Sequence, residues 1–352
     1  MRTPELASEA WRNVRSGASR ALLLMVTTVI TFGSLAWLDM SAVQTIQQSA
    51  ANFHQAGAST YALTAPGLVS GAACDSLRSI PGVQAAGAIR PSAEPIVPSA
   101  TPQRSIPMFA VTPGFNALLG PTATGAVLAE TDVATQYGLR TRPNLATTTG
   151  DYPVQGTYDW PDDGRDPTLG YAIAATAQVN AIYDQCWINV WPADTSKRAL
   201  LYVALTSQAT SQDKVTLGQL NPRLGVDPDF DGAYLTRVTR FAPLIAALIG
   251  FALCFSVLRL RRLELATSRH LGQTRSEQAL QMVLESSIWS AAALALCAGA
   301  LEVWVHHAHA APMVGQLGMI VLLAGWLGTA LGSVAGAAVI RERQIINFFK
   351  AR

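Results

Sequence analysis

Four side chains in the C-terminal third of the chain have residue types that bind metals. Glu302 and His306 are one helical turn apart, and His307 and His309 follow directly. A carboxylate and imidazoles on one helical face can bind a transition metal, and imidazole also binds haem iron. The alternative is a helix end whose imidazoles point into water, because the sequence identifies no ligands from another element. Both interpretations stay open.

A second candidate is acidic. The stretch 227–232 reads Asp-Pro-Asp-Phe-Asp-Gly, which resembles the opening of a calcium-binding loop. Such a loop needs a bidentate glutamate six residues after the glycine, and Val238 occupies that position. The proline is also awkward inside the loop. We therefore interpret 227–232 as a solvated acidic linker.

Motifs for catalysis are missing from the sequence. We find no Gly-x-x-x-x-Gly-Lys-Ser/Thr phosphate loop, no His-Glu-x-x-His and no Gly-x-Ser-x-Gly. The three lysines, Lys197, Lys214 and Lys350, have no nucleotide-binding context. The chain is not expected to be an enzyme, and a membrane-anchored enzyme has little support. Any ATP-driven role requires a separate ATPase chain that carries ATP and Mg.

A short basic segment with helix-forming residues lies between two apolar runs. It reads Arg-Arg-Leu-Glu-Leu-Ala-Thr-Ser-Arg-His-Leu-Gly-Gln-Thr-Arg over residues 261–275. A charged helical loop between membrane spans is a surface that a cytosolic partner can bind. The sequence predicts an interaction site here, with Gly272 relaxing the backbone at a turn.

The elements that must position this segment are membrane spans. Only 14% of the residues are charged, whereas soluble proteins have about 25%. Four apolar runs account for the deficit, at 21–38, 241–258, 286–305 and 313–340. Each approaches the roughly 20 residues that a spanning helix needs. The sequence predicts an α-helical membrane protein with four transmembrane helices and a large α+β extracytoplasmic domain between the first and second.

Arginines near the span ends predict the orientation. They precede the first span, lie between the second and third, and follow the fourth, whereas the 306–312 turn has no Lys or Arg. By the positive-inside rule, both termini and the central loop are cytoplasmic. A cleaved signal peptide at the first run is the alternative. We expect instead an amphipathic N-terminal helix along the inner membrane surface, with Leu6, Ala10, Trp11 and Val14 on one face.

The predicted domain order follows from these spans. It is a cytoplasmic amphipathic helix at 1–20, spans at 21–40, 237–260, 285–306 and 313–340, an extracytoplasmic domain at 41–236, a cytoplasmic loop at 261–284, an outer turn at 307–312 and a cytoplasmic tail at 341–352. Two strand–helix–strand units are predicted in the outer domain, near 59–89 and 187–217. Gly328, Gly332 and Gly336 recur every four residues, which favours close helix packing in the fourth span.

The cysteines divide between the two environments. Cys254 and Cys297 lie in predicted spans, where a thiol is usually a small apolar group. Cys74 and Cys186 lie in the outer domain, an oxidising location. They can form one disulfide if their backbones approach, or stay two separate thiols.

The basic segment resembles the cytoplasmic loop of MacB/FtsX-type ABC transporter permeases, whose pattern is Arg-Arg-x-Glu-Ile-Gly-x-x-Arg-x-Leu-Gly-x-Thr-Arg. The matching residues are Arg261, Arg262, Glu264, Arg269, Leu271, Gly272, Thr274 and Arg275. Ala266 stands at the family's usual glycine. The run 9–15 resembles the family's entry helix, and Glu285 matches a glutamate common at that place. The tail from Arg341 lacks the family's usual proline.

The resemblance implies the permease subunit of an ATP-driven transporter in the bacterial inner membrane. It implies ABC ATPase subunits and a second permease copy as partners, with Arg269 and Arg275 facing outward to pair with ATPase carboxylates. Motion would pass to the outer domain, where a small-molecule or peptide cargo is handled, with haem or a metal possible only as cargo. An FtsX-like transducer that activates a cell-wall hydrolase or sensor is the alternative. Membrane lipids are expected partners, and nucleic acid is not.

Overall fold

The computed structural model describes residues 3–15, 20–121, 123–210, 214–226, 228–270 and 272–339, and it forms two compact units. The membrane unit takes residues 1–48 and 230–352, and the outer unit takes residues 49–229. In chain order, the α-helices in the described residues are α1 (Thr3–Arg15), α2 (Ala21–Gln55), α3 (Gly71–Ser76), α4 (Asn116–Leu119), α5 (Thr131–Gln136), α6 (Phe230–Thr236), α7 (Ala242–Leu260), α8 (Arg262–His270), α9 (Arg275–His307) and α10 (Pro312–Val339).

The four predicted spans are confirmed as four helices long and apolar enough to cross a membrane. They are α2, α7 with the 3-10 turn that precedes it from Val238, α9 and α10. The helices extend beyond the predicted spans at their polar ends. Helix α2 continues past residue 40 to Gln55, and α9 begins at Arg275 rather than near residue 285. These helices indicate a membrane protein.

Glycines set the close packing of α7 against α10. An added Cβ at Gly328 would lie 2.1 Å from the carbonyl oxygen of Ala247, and one at Gly332 would lie 2.3 Å from that of Phe251. Gly250 on α7 faces the carbonyl oxygen of Gly325 at 2.4 Å in the same way. The backbones therefore touch where side chains would otherwise separate them. The glycine stripe of the fourth span is occupied by α7 of the same chain.

The outer unit is an α/β domain built on an eight-stranded mixed sheet. The strands are β1 (Thr60–Ser70), β2 (Val83–Pro91), β3 (Met108–Val111), β4 (Val127–Glu130), β5 (Asn144–Thr147), β6 (Gly150–Pro153), β7 (Gly156–Tyr158), β8 (Ile173–Thr176), β9 (Ile182–Val190) and β10 (Thr216–Gln219). The sheet order is β10-β1-β9-β2-β3-β8-β4-β7, and β5 pairs with β6 separately. The β3–β8 and β4–β7 pairs are parallel, and the other pairs are antiparallel.

Both predicted strand–helix–strand units contribute to this one sheet. Strand β9 lies between β1 and β2, so the late unit inserts into the early one, and β10 adds at the edge. Tyr61, Leu63, Tyr183 and Ile188 are fully buried in the core between these strands and α3. The late helix differs from the expectation, because Thr195–Ala204 is a 3-10 helix that Asp194 caps at its N-terminus.

Candidate functional site

Helix α8 positions the basic segment at one end of α7, α9 and α10. Leu265 and Ala266 are buried and pack with Leu258, Met282 and Ala337. These apolar positions lie on the face that α8 turns toward the other helices, and Thr267 is exposed on the opposite side. The amide of Gln278 on α9 donates to the backbone oxygen of Leu265 at 2.7 Å. Helix α8 is therefore fixed to α9 by both apolar contacts and a buried hydrogen bond.

An ion-pair network joins the junction of α7 and α8 to α9. Arg261 donates from Nη1 to Glu285 Oε1 at 2.5 Å and from Nη2 to Glu264 Oε1 at 2.7 Å. The Glu285 side chain is only 5% exposed, whereas that of Glu264 is 57% exposed. The amide of Asn13 on α1 is 3.5 Å from the other Glu285 oxygen. The carboxylate of Glu285, on α9, therefore contacts both Asn13 on α1 and Arg261, the residue that precedes α8.

The charge state of Arg261 follows from these partners. Burial alone lowers the pKa of the guanidinium, but the hydrogen bond to Glu264 and the charge of Glu285 outweigh it and raise the pKa. Arg261 stays charged, so the network is ionic. Glu285 and Arg261 thus form a largely buried ion pair rather than a solvated pair at the surface.

Arg269 differs from the expectation that it faces outward. It is 4% exposed, and its Nη2 donates to the backbone oxygen of Ala337 at 3.2 Å. Leu265, Ala266 and Arg269 are three and four residues apart, so they share the buried face of α8. Arg269 therefore binds one of the last carbonyls of α10, where a cation is favourable next to the helix C-terminus.

The turn after α8 exposes Gly272, Thr274 and Arg275 to solvent. Gly272 has φ +101° and is exposed, so a side chain there would be strained. Thr274 caps α9, because its hydroxyl accepts from the N–H of Glu277 while Glu277 accepts from the N–H of Thr274. Arg275 follows, exposed, in the first turn of α9. Arg262 is partly exposed, and Leu271 lies outside the described residues, as does the 341–352 tail.

The structure joins Cys74 and Cys186 in a disulfide, with their Cα atoms 5.8 Å apart. The bond links α3 to β9 within the core of the outer unit, where both residues are fully buried. Cys254 and Cys297 are buried free thiols in the membrane unit. The two backbones therefore approach closely enough for a disulfide, which the sequence alone could not show.

We expect thiol titration to distinguish these two pairs. In denaturant without a reductant, alkylation should label only Cys254 and Cys297, because the Cys74–Cys186 disulfide protects the other two. After reduction, all four cysteines should be labelled. Intact mass before and after alkylation measures the number. Labelling of four cysteines without reduction would contradict the disulfide.

Among the residues that the structure describes, the histidine candidates are not assembled into a metal site. Glu302, His306 and His307 lie at the end of α9, His309 follows with φ +48°, and all four are exposed. Within the described part of the chain, no three His, Cys, Asp or Glu side chains form a group that could hold a metal ion. Asp227 of the acidic stretch lies outside the described residues, and Phe230 begins α6.

A cleft of about 630 Å³ lies in the outer unit beside β4 and the 159–171 segment. Glu130 is buried at its wall, where burial raises its pKa although the N–H groups of Asp132 and Val133 donate to it. Burial also raises the pKa of Tyr171 to about 12. The carboxylate of Asp163 holds Arg165, whose guanidinium lies over Trp160. The charged groups of Glu130, Asp163 and Arg165 are therefore bound to neighbouring residues of the protein itself.

Sequence reasoning missed several contacts that hold the membrane unit together. The Thr274-x-x-Glu277 spacing is a capping-box signature and could have located the start of α9. Asp39 on α2 pairs with Arg237, just before α7, at 3.1 Å, and both side chains are largely buried. No sequence signal links these two residues across almost 200 positions. The same holds for Asn13 and Glu285.

Part of the chain is similar to a solved structure. The sequence matches no protein-family model, and no curated protein matches it. A crystal structure of the periplasmic region of MacB from Actinobacillus actinomycetemcomitans is similar to part of the chain, with a TM-score of 0.32 and 9% identity. The match covers 44% of this chain and 86% of that one.

Proposed function

We propose that this chain is the permease subunit of an ATP-driven ABC transporter of the MacB/FtsX type. The observation that carries the proposal is helix α8, whose sequence resembles the family's cytoplasmic loop. Its buried face is bonded to α9 and α10, and its exposed residues form a surface for a partner. Arg275 and Thr274 are exposed at the turn, and Arg262 is partly exposed. An ATPase with carboxylates at its surface fits these cations.

In this proposal both termini and α8 are cytoplasmic, and residues between α2 and α7 lie outside the cell membrane. The membrane is the bacterial inner membrane. ATP and Mg belong to separate ATPase subunits, and a second permease copy completes the assembly. Movement of the ATPases would pull on α8 and, through Arg261 and Glu285, on α9. Cargo would be handled on the outer side.

Arg275 offers a test that separates partner binding from folding. A cation in the first turn of a helix opposes the helix dipole, so Arg275→Glu should leave α9 as stable or slightly more stable. The same change reverses the charge that faces the ATPase. We expect about tenfold weaker binding of the ATPase, and a matching loss of the ATPase stimulation that the permease gives.

The measurement uses the full-length chain in lipid nanodiscs and the ABC ATPase that co-purifies with it in the presence of ATP. Arg142→Glu, an exposed substitution in the outer unit, is the matched control and should leave stimulation unchanged. Equal stimulation by wild type and Arg275→Glu would contradict the coupling role of this surface. Stimulation that also needs an extracytoplasmic hydrolase would favour the transducer alternative.

A further inference from the structure

The cleft in the outer unit, about 630 Å³ in volume, lies between the start of α5 and the 159–171 segment. This volume is within the range of roughly 300–1,000 Å³ in which proteins bind small organic ligands. The indole N–H of Trp160 donates to the backbone oxygen of Asp166 at 2.8 Å, and the hydroxyl of Tyr158 donates to that of Leu169 at 3.0 Å. The 159–171 wall is therefore held in place by bonds within the protein.

Acidic side chains from separate elements line this cleft. They are Glu130 at the end of β4, Asp132 in α5, and Asp159 and Asp162 after β7. Arg165 also lines the cleft, but its guanidinium is paired with Asp163 at 2.7 Å. In the part of the chain that the structure describes, no Lys or Arg forms an ion pair with the four lining carboxylates. The cleft therefore attracts cations.

Glu130 is the buried member of this acidic set, at 4% exposed. The N–H groups of Asp132 and Val133 both donate to its Oε2 atom, and no described residue donates to Oε1 within normal hydrogen-bond geometry. Because Glu130 lines the cleft and Oε1 is not an enclosed atom, this oxygen faces the cleft. A carboxylate oxygen that has lost most of its water is stabilised by a charged donor that enters from the cleft.

The arrangement of the carboxylates favours an organic cation over a metal ion. A calcium ion needs roughly six to eight oxygens around one point. Among the described residues, no three His, Cys, Asp or Glu side chains converge in this way. Pro161, Pro167 and Tyr171 add apolar surface to the lining of the cleft. A ligand with several ammonium groups on an aliphatic chain matches both the separated charges and the apolar surface.

We propose that this cleft binds an organic polyamine, a molecule whose two or more ammonium groups are joined by aliphatic carbons. One ammonium group donates to Oε1 of Glu130, and the others pair with Asp132, Asp159 or Asp162. Free polyamines and short lysine-rich peptides share this chemistry. Binding in the cleft requires neither an ATPase nor transport, so the proposal goes beyond the permease function and is independent of it.

Isothermal titration calorimetry of the full-length chain in phosphatidylcholine nanodiscs tests the proposal, because this lipid has no net charge to compete for polyamines. Spermine is the free-polyamine probe, and trilysine is the peptide probe. We expect saturable binding at one site per chain, with an affinity that falls as NaCl is raised. Tighter binding of spermine assigns the cleft to free polyamines, and tighter binding of trilysine assigns it to peptides. Titration with CaCl2 alone should give no binding that depends on Glu130.

Charge variants decide whether the lining carboxylates cause the binding. Glu130→Gln removes the charge but keeps an amide oxygen for the two N–H donors, and it should weaken spermine binding roughly tenfold or more. Asp159→Asn with Asp162→Asn, both at exposed positions, should weaken it about tenfold, or about threefold for each charge. Glu94→Gln is the matched control, because it makes the same change at an exposed position outside the cleft and should leave binding unchanged.

Four results would overturn the proposal. They are a wild-type chain that binds neither spermine nor trilysine, cleft variants that bind as tightly as wild type, an equal loss in Glu94→Gln, and CaCl2 binding that Glu130→Gln abolishes. If Glu130→Gln does not fold, the Asp159→Asn/Asp162→Asn variant decides alone, because both of its side chains are exposed. None of these results depends on ATPase stimulation, so failure of the polyamine proposal and failure of the permease proposal are distinguishable.

Discussion

Replacing Arg261 with methionine is expected to lower the free energy of unfolding of the membrane unit by about 4 kcal/mol. The substitution keeps most of the side-chain volume but leaves the Glu285 carboxylate, 5% exposed, without its ionic partner. The amide of Asn13, 3.5 Å away, is a weak substitute. Unfolding of the purified chain in mixed micelles, followed by tryptophan fluorescence, measures the loss.

Two further variants separate stability from coupling. Glu264→Gln removes the exposed partner of Arg261 and should cost less than about 1 kcal/mol. Arg261→Met combined with Glu285→Leu replaces both charges with apolar groups, so most of the lost stability should return. We expect this double variant to fold yet to transmit ATPase movement poorly. A single Arg261→Met variant as stable as wild type would show that the ion pair does not hold α8 to α9.

Valine at Gly328 or Gly332 is expected to separate α7 from α10 and to destabilise the membrane unit by about 3 kcal/mol or more. The new Cβ would meet the carbonyl oxygen of Ala247 or Phe251 at 2.1 or 2.3 Å, and backbone cannot rotate away as a side chain can. Unfolding midpoints in mixed micelles and the fraction of monodisperse protein on gel filtration measure the effect.

Gly299 is the matched control for this contact between α7 and α10. It lies in α9, and an added Cβ has nothing within 4 Å. Gly299→Val should therefore be close to neutral, because no atom meets the new Cβ and valine has a somewhat higher helix propensity than glycine. Equal losses at Gly299 and Gly332 would indicate that the substitutions do not act through the contact between α7 and α10.

Hydropathy was enough to predict the four apolar helices, because crossing a bilayer requires a long local run that is visible in one dimension. It could not place their polar ends. Helix α9 starts at Arg275 because a capping box and the turn at Gly272 define the first turn, not because the residues there are apolar. Helix α2 likewise continues through polar residues to Gln55.

In the outer unit, the sequence could predict where individual strands lie but not the order in which they pair. Alternation and turn residues located β1, β2 and β9 to within several residues. Their order in the sheet depends on pairing between distant segments, such as Leu63 with Cys186, which no local pattern encodes. The pairing of β3 with β8 and of β4 with β7 is parallel for the same reason, and it had no sequence signal.

The candidate site, likewise, was predictable in its residues but not in their contacts. The loop pattern identified the residues of α8, but not the direction that each side chain takes. Arg269 points inward because it shares a face with Leu265 and Ala266, and that face became clear only with α10 present. The Glu285 contacts of Arg261 and Asn13 join residues that are far apart in sequence. Buried polar contacts of this kind need the tertiary structure.

Helix α9 has one further consequence. Its 33 residues make a rod of about 50 Å without a proline, which is roughly 20 Å longer than the hydrocarbon layer. Arg275 stands at one tip of this rod and His307 at the other. Because no proline interrupts the helix between its ends, a tilt imposed at Arg275 would move His307 in the opposite direction about a point within the membrane.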